Sequence, residues 1–436
     1  MTRNLAALAA TLTFCAPALA QQAPPAPKVT YIHAGHLIDR PGQPARGAST
    51  IVVTGDKVTE VRDGFATPPA GATAIDLKDR WVLPGLIDMH VHLLGIGGDP
   101  MRERLLALNT EGADSVLYGA GNARRTLHAG FTTVRDLGGE PRAIRALRDA
   151  IDRGDVEGPT IVNAGAPISV TGGHGDPLNG IAEPYAHAIA DTVENTCDGP
   201  EDCRRAVRRQ VGLGAQVVKF MATGGVLSNV SGGLGRAMEP DEMKAVIDTA
   251  HGLGRKVAAH SHAAEGTLAA VNAGVDTIDH GTFLDDATIR AMKAKGTWLV
   301  PTMLAPRAAL QQARAGMLPA ATIPKAEAAG AAAMASHTRA IAAGVKVAFG
   351  TDTGVSRHGD NAQEFALMVE AGMTPAQAIR AATVAAAEAL GRDDLGTLAP
   401  GKAADLIAVA ASPLEDVRAL ERVGFVMRRG VVAKQP

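Results

Sequence analysis

The sequence predicts an α/β protein: a (β/α)8 TIM-type barrel with a small β-sandwich built from both termini. Three observations carry this. The middle of the chain alternates apolar strands with Ala/Leu/Arg-rich helical segments, eight strands in all. The two ends share another style, short β-branched runs broken by Gly and Pro. Six residues of metal-ligand type fall at the ends of predicted barrel strands, where barrel enzymes keep their active sites.

Residues 1–20 are a separate material. Arg3 gives a short positive start, residues 5–19 are small and apolar, and Ala18-Leu19-Ala20 matches a cleavage pattern before Gln21. The apolar run is too short for a comfortable transmembrane helix. A cleaved signal peptide is expected, with export to a bacterial periplasm or beyond, and no other stretch reads as a membrane span. Residues 21–28, rich in Pro and Ala, read as a flexible leader. Residues 29–84 form the first part of the sandwich, with strands in VTYIHAGHLID, ASTIVVTGDKVTEV and ATAIDLKDRWVLP. Residues 394–436, with ADLIAVA and VGFVMRRGVVAK, form the second.

The barrel takes residues 85–393. Its strands are read in VLPGLIDMHVH, FTTVRDLG, TIVNAGAPI, AQVVKFMAT, KVAAHSH, DTIDHG, TWLVPTM and VKVAFGTD. Hydrophobic residues make up 46% and aromatic ones only 3%, so the core is built from Ala, Val, Leu and Ile. The net charge of −2 and the lack of a basic block give no support to a nucleic-acid partner. Cys197 and Cys203 in CDGPEDC flank a turn-forming Gly-Pro; in an exported protein such a pair suits a disulfide, two free thiols being the alternative.

His90 and His92 stand two apart on one strand, so both face the same side. Neutral imidazoles there suit Zn²⁺ or a similar metal. Lys219 is the odd member, because an ammonium repels cations. It pairs with an acid, forms a Schiff base, or has reacted with carbon dioxide to give a carbamate that bridges two metals; the surrounding histidines and Asp352 favour the carbamate. His260 and His280 lie on successive strands and could hold a second metal. His262 shares the face of His260, and spacing alone does not separate them. Asp352 ends the eighth strand, where a carboxylate binds a metal and accepts a proton. His174 in TGGHGDP is read either as a ligand for a substrate carboxylate or as a loop residue. Gly224, Gly225 and Val226 follow Lys219 and shape the pocket wall. Arg236 is read as a surface residue.

The phrases PGLIDMHVH, GFTTVRDLGG, TGGHGD, VKFMATGGV, VDTIDHGT, GTDTG and APGKAADLIAV resemble the amidohydrolase superfamily, in its binuclear dipeptidase-like branch. Within that branch the chain is most similar to exported bacterial amidohydrolases that cleave ochratoxin A. The resemblance implies two divalent metals, Zn²⁺ first, and N6-carboxylated Lys219 as bridging ligand. His90, His92 and Asp352 would hold one metal, His260 and His280 the other, with His262 beside the substrate carbonyl or the leaving group and Asp352 as proton carrier. It also implies a homo-oligomer and a small amide substrate: a dipeptide or N-acyl amino acid, with ochratoxin A the named candidate. A carboxypeptidase for C-terminal Pro or basic residues, or a cyclic-amide hydrolase or deaminase, is the alternative.

Overall fold

The computed structural model describes residues 27–107, 109–228 and 233–435. The expected signal peptide and most of the leader lie outside the described residues. Both ends of the chain meet in one seven-stranded sheet. Its order is Val431–Lys434, Phe425–Arg428, Leu406–Val409, Thr73–Pro84, Val29–Leu37, Ser49–Thr54 and Lys57–Asp63. The central strand Thr73–Pro84 is 12 residues long. It pairs in parallel with Val29–Leu37 from Thr73 to Val82, and its last four residues pair antiparallel with Leu406–Val409. The sequence leads one to expect a sandwich of two sheets. Hydrogen bonds instead join all seven strands, because the central strand is long enough to pair with both halves. Ile32, Ile51, Val53, Leu77, Leu406 and Phe425 bury their side chains in one cluster against this sheet.

Among the described residues, the middle of the chain holds seven parallel strands. Leu86–Val91, Phe131–Asp136 and Thr160–Asn163 form one sheet. Val217–Met221, Lys256–Ala263, Thr277–Phe283 and Trp298–Val300 form another. Helices separate them, and Pro141–Arg153 shows why they form. The Glu140 carboxylate accepts the N–H groups of Arg142 and Ala143, a proline opens the first turn, and left-handed Gly154 closes the last. Ala143, Ile144, Leu147 and Ile151 make its buried face, at helical spacing.

The expected eighth strand, VKVAFGTD, is an extended segment held by isolated bridges. Val347 pairs with Leu299 on one side and Thr353 with Val91 on the other. Asp352 and Gly354 have φ of 57° and 128°, which interrupts a regular ladder. Past the end of Thr160–Asn163, Ile168 bridges to Phe220 of the four-stranded sheet, and the Asn163 carbonyl accepts the Gln216 N–H at 2.8 Å. Cys197 and Cys203 are joined as a disulfide, which ties the segment before Pro200–Gly212 to that helix. No helix among the described residues is long and apolar enough to cross a membrane.

One charged side chain crosses the interior. Arg135, 1% exposed, donates from Nε to the Met89 carbonyl at 2.5 Å and from Nη1 to Thr277 Oγ1 at 3.0 Å. Its Nη2 donates to both carboxylate oxygens of Asp279, at 3.2 and 3.0 Å. The guanidinium thus straps the two parallel sheets together. Removing one partner of a buried pair leaves an uncompensated charge, at a cost of about 3–5 kcal/mol. Arg135→Met is therefore expected to lower stability by about that amount in chemical denaturation, whereas an exposed control such as Arg153→Met should change it by less than about 1 kcal/mol.

Candidate metal centre

The six expected ligands converge on one cavity of about 280 Å³, which His174, His262 and Val226 also line. Five of them, joined by His262, fall into two groups, and Lys219 belongs to neither. His90, His92 and Asp352 bring their ligand atoms within 4.8 Å of one another. The Nε2 atoms of His90 and His92 are 3.3 Å apart, and Asp352 Oδ1 lies 3.4 and 3.2 Å from them. His260, His262 and His280 form the second group, within the same limit.

The outer nitrogen of each ring explains its orientation. His90 Nδ1 faces the Asp279 carboxylate at 2.8 Å, and His92 Nδ1 donates to the Gly138 carbonyl at 2.9 Å. The Gly138 carbonyl only accepts, so His92 Nδ1 carries the proton and its Nε2 lone pair points inward; the carboxylate charge beside His90 Nδ1 favours the same tautomer there, although no aligned hydrogen bond joins them. A Cβ at position 138 would stand 2.9 Å from His92 Cε1, so this approach needs glycine. His262 and His280 instead meet the hydroxyls of Thr282 and Thr302, each at 2.8 Å, and a hydroxyl serves as donor or acceptor. His262 is thereby free to present either a lone pair or an N–H. His260 Nε2 is buried with no hydrogen-bond partner among the described residues. A cation would satisfy that orphaned atom, so the donor set fits a metal.

Electrostatics prepare the same state. Burial pushes the imidazoles of His90, His260 and His280 well below their usual pKa, His262 to about 3 and His174 to about 4. Neutral rings are the metal-binding form. At His92 burial is outweighed by the hydrogen bond and charge of Asp352, which raise the ring to about 9. A bound cation would take the place of that proton. Asp352 itself is held below the usual carboxylate range, because His90 and His92 overcome its burial. Burial pushes Lys219 down to about 8 against the pull of Asp279 and Asp352. Its Nζ stands 3.9 Å from Asp279 Oδ2.

Three non-glycine residues of the site lie in the left-handed region: His280, Thr302 and Asp352, at φ of 77°, 48° and 57°. Each costs roughly 1–3 kcal/mol. The kink at His280 breaks the alternation of its strand, so that neighbouring Asp279 and His280 both reach the centre. His337 Nε2 supports the kink by donating to the His280 carbonyl at 2.6 Å.

The expected substrate residues separate. The His174 ring lies 4.4 Å from that of His260, and a Cβ on Gly225 would stand 2.3 Å from it. Val226 lines the cavity but Gly224 and Gly225 do not; Gly224 is buried, and its N–H donates to the Gly235 carbonyl. Arg236 pairs with Glu239 and Glu265, in keeping with a surface role. Lys325, not foreseen, donates to the Gly225 carbonyl at 3.0 Å and to that of Ser228. Also unforeseen are Arg135 and Asp279, although each is a charged residue inside an otherwise apolar strand.

Known proteins place this arrangement. The Amidohydrolase family model matches residues 81–433. Ochratoxinase from Aspergillus niger is 33% identical over 428 residues, covering 94% of this chain and 87% of its own. A solved Xaa-Pro dipeptidase with methionine bound in its active site is 38% identical, with a TM-score of 0.88 over 93% of this chain and 99% of that one. A prolidase complexed with N-methylphosphonate-L-proline is 29% identical, with a TM-score of 0.84 over 94% of this chain and 100% of that one. The chain therefore belongs to the amidohydrolase family and is a hydrolase acting on carbon–nitrogen bonds.

Proposed function

We propose that the protein is a two-metal hydrolase that splits the amide between an acyl group and an amino acid. The observation that carries this is the pair of three-ligand groups sharing one cavity with a buried lysine. His90, His92 and Asp352 would hold one cation, His260 and His280 the other, with carboxylated Lys219 between them. Zn²⁺ suits such an imidazole and carboxylate set. When bound, the cations lower the pKa of water and polarise a carbonyl oxygen. Asp352 accepts the proton released by the attacking water and delivers it to the leaving nitrogen. His262, with Thr282 donating to its Nδ1, offers Nε2–H to the carbonyl oxygen. His174, which lines the cavity beside His260, receives the amino-acid carboxylate.

The relatives support this substrate class, since ochratoxinase and the dipeptidases are named for amide substrates. Ochratoxin A, an aryl amide of phenylalanine, is the first candidate; Xaa-Pro and Xaa-Arg dipeptides come next. The hydrogen bonds of segment 346–353 to strands on both sides support an eight-stranded closed barrel. The disulfide supports export to an oxidising compartment.

Metal-replete protein is expected to release phenylalanine from ochratoxin A, measured by chromatography, and to lose that activity on chelation. No turnover across a broad panel of N-acyl amino acids and dipeptides would refute the reading. His262→Ala is expected to lower kcat by about 10²–10³ while the bound metal stays constant by elemental analysis. Loss of metal in that variant would make His262 a ligand instead.

A further inference from the structure

The chain between the strand Thr160–Asn163 and the helix Pro200–Gly212 carries His174. Asn195 holds this stretch at two points. Its side chain is buried, and Nδ2 donates to the Pro167 carbonyl at 2.7 Å and to the Gly175 carbonyl at 2.8 Å. Both partners are acceptors, so the amide turns its two N–H groups toward them. Gly175 directly follows His174. Ser169 closes the same loop: its N–H donates to the Asn195 carbonyl at 3.1 Å, and its hydroxyl accepts the Gly175 N–H at 3.2 Å. Just beyond Asn195, the Cys197 N–H donates to the Ser169 carbonyl at 2.8 Å, and the disulfide to Cys203 fastens this anchor to the helix Pro200–Gly212.

His174 depends on its backbone for its place. Its Nδ1 is buried with no hydrogen-bond partner among the described residues. The ring lies between the His260 ring, 4.4 Å away, and Gly225, where a Cβ would fall 2.3 Å from it. Those contacts limit its tilt but make no polar bond that fixes its depth in the cavity. His92, His262 and His280 differ, since Gly138, Thr282 and Thr302 hold their outer nitrogens. Bonds from the Gly172 and Leu178 N–H groups to Asp176 brace the His174 loop within itself. Asn195 reaches it from 20 residues away and ties it to its surroundings.

We propose that Asn195 is the positioning residue for His174: by holding the Gly175 carbonyl it sets the imidazole where the substrate carboxylate meets it. The proposal rests on the amide-hydrolase reading and on His174 as its carboxylate-binding residue. Asn195 does not touch the substrate and takes no part in bond breaking. A binding group has to be held within about 0.5 Å of its productive place by the residues behind it. Loss of the two donors leaves the Pro167 and Gly175 carbonyls unpaired, and the loop shifts to find new partners.

The test reads carboxylate recognition as the ratio of kcat/KM for benzoyl-phenylalanine to that for benzoyl-phenylalaninamide, which lacks the charge. Benzoate release from both is measured by chromatography with metal-replete protein. The wild type is expected to favour the acid by about tenfold or more, the size of a hydrogen bond to a charged group, and His174→Ala to bring the ratio close to one. Asn195→Leu keeps the size and removes both donors. It is expected to lower the ratio by about tenfold, mainly through KM, with bound metal unchanged by elemental analysis. Added to His174→Ala, it should leave the ratio where that variant already stands, which a merely structural role would not do. Each ratio is taken within one preparation, so partial misfolding cancels, and Asn195→Asp provides a second variant. A wild-type ratio in both Asn195 variants, an equal fall with His174 already removed, or loss of metal in both variants overturns the proposal alone. A ratio that His174→Ala leaves unchanged removes the carboxylate role of His174 and the proposal with it. Turnover of neither substrate by the wild type removes the amide-hydrolase reading and both of these.

Discussion

The carboxylate of Asp279 meets four neighbours at once, the first being the Thr277 hydroxyl, which donates to Oδ1 at 2.8 Å. It accepts two hydrogen bonds from Arg135, faces the Nδ1 of His90, and stands 3.9 Å from the amine of Lys219. Arg135 in turn reaches Met89 on the strand that carries His90. One buried ion pair therefore fixes the relative positions of three strands and orients two of the expected ligands. Were Asp279 absent, Arg135 would be an unpaired charge in the interior and His90 would lose the carboxylate charge that favours its tautomer. The centre is thus an extension of the packing that joins the two parallel sheets.

Burial sets the chemistry of what is held there. Taking five imidazoles out of water keeps them neutral, and neutral rings compete for cations rather than protons. The same burial brings Lys219 toward the unprotonated amine, the form able to bind carbon dioxide. His92 is the exception, because Asp352 presses on it directly. The left-handed backbone at His280, Thr302 and Asp352 adds strain that the surrounding bonds sustain, including the one from His337. An apolar core alone would not tolerate so many polar atoms; the bonds to Gly138, Thr282 and Thr302 satisfy several of them, and a cation would satisfy His260 Nε2.

The ligand set was legible because period-two alternation and strand ends are local properties. His90 and His92 need only their own strand to be placed, and Asp352 only the end of its segment. His260 and His262 share a face, so spacing could not rank them, and the geometry still groups both with His280. The partners that orient the ligands were not legible. Arg135 and Asp279 lie 144 residues apart, and no local pattern joins them. Glu103 sits on the helix Pro100–Ala107, where no local pattern marks it, and only tertiary packing brings it to the cavity. The eighth strand was visible as an apolar run, but its left-handed Asp352 was not. The joining of the terminal segments into one sheet follows from the reach of Thr73–Pro84, a length that the sequence signalled without revealing its two partners.

The central claim is that Lys219 unites two metal sites in one cavity. Elemental analysis of the purified protein, beside Lys219→Ala that retains wild-type circular dichroism, tests it most directly. The account predicts about two divalent ions per chain in the first and no more than about one in the second, as expected when a shared ligand is lost. One ion per chain in both proteins would contradict it.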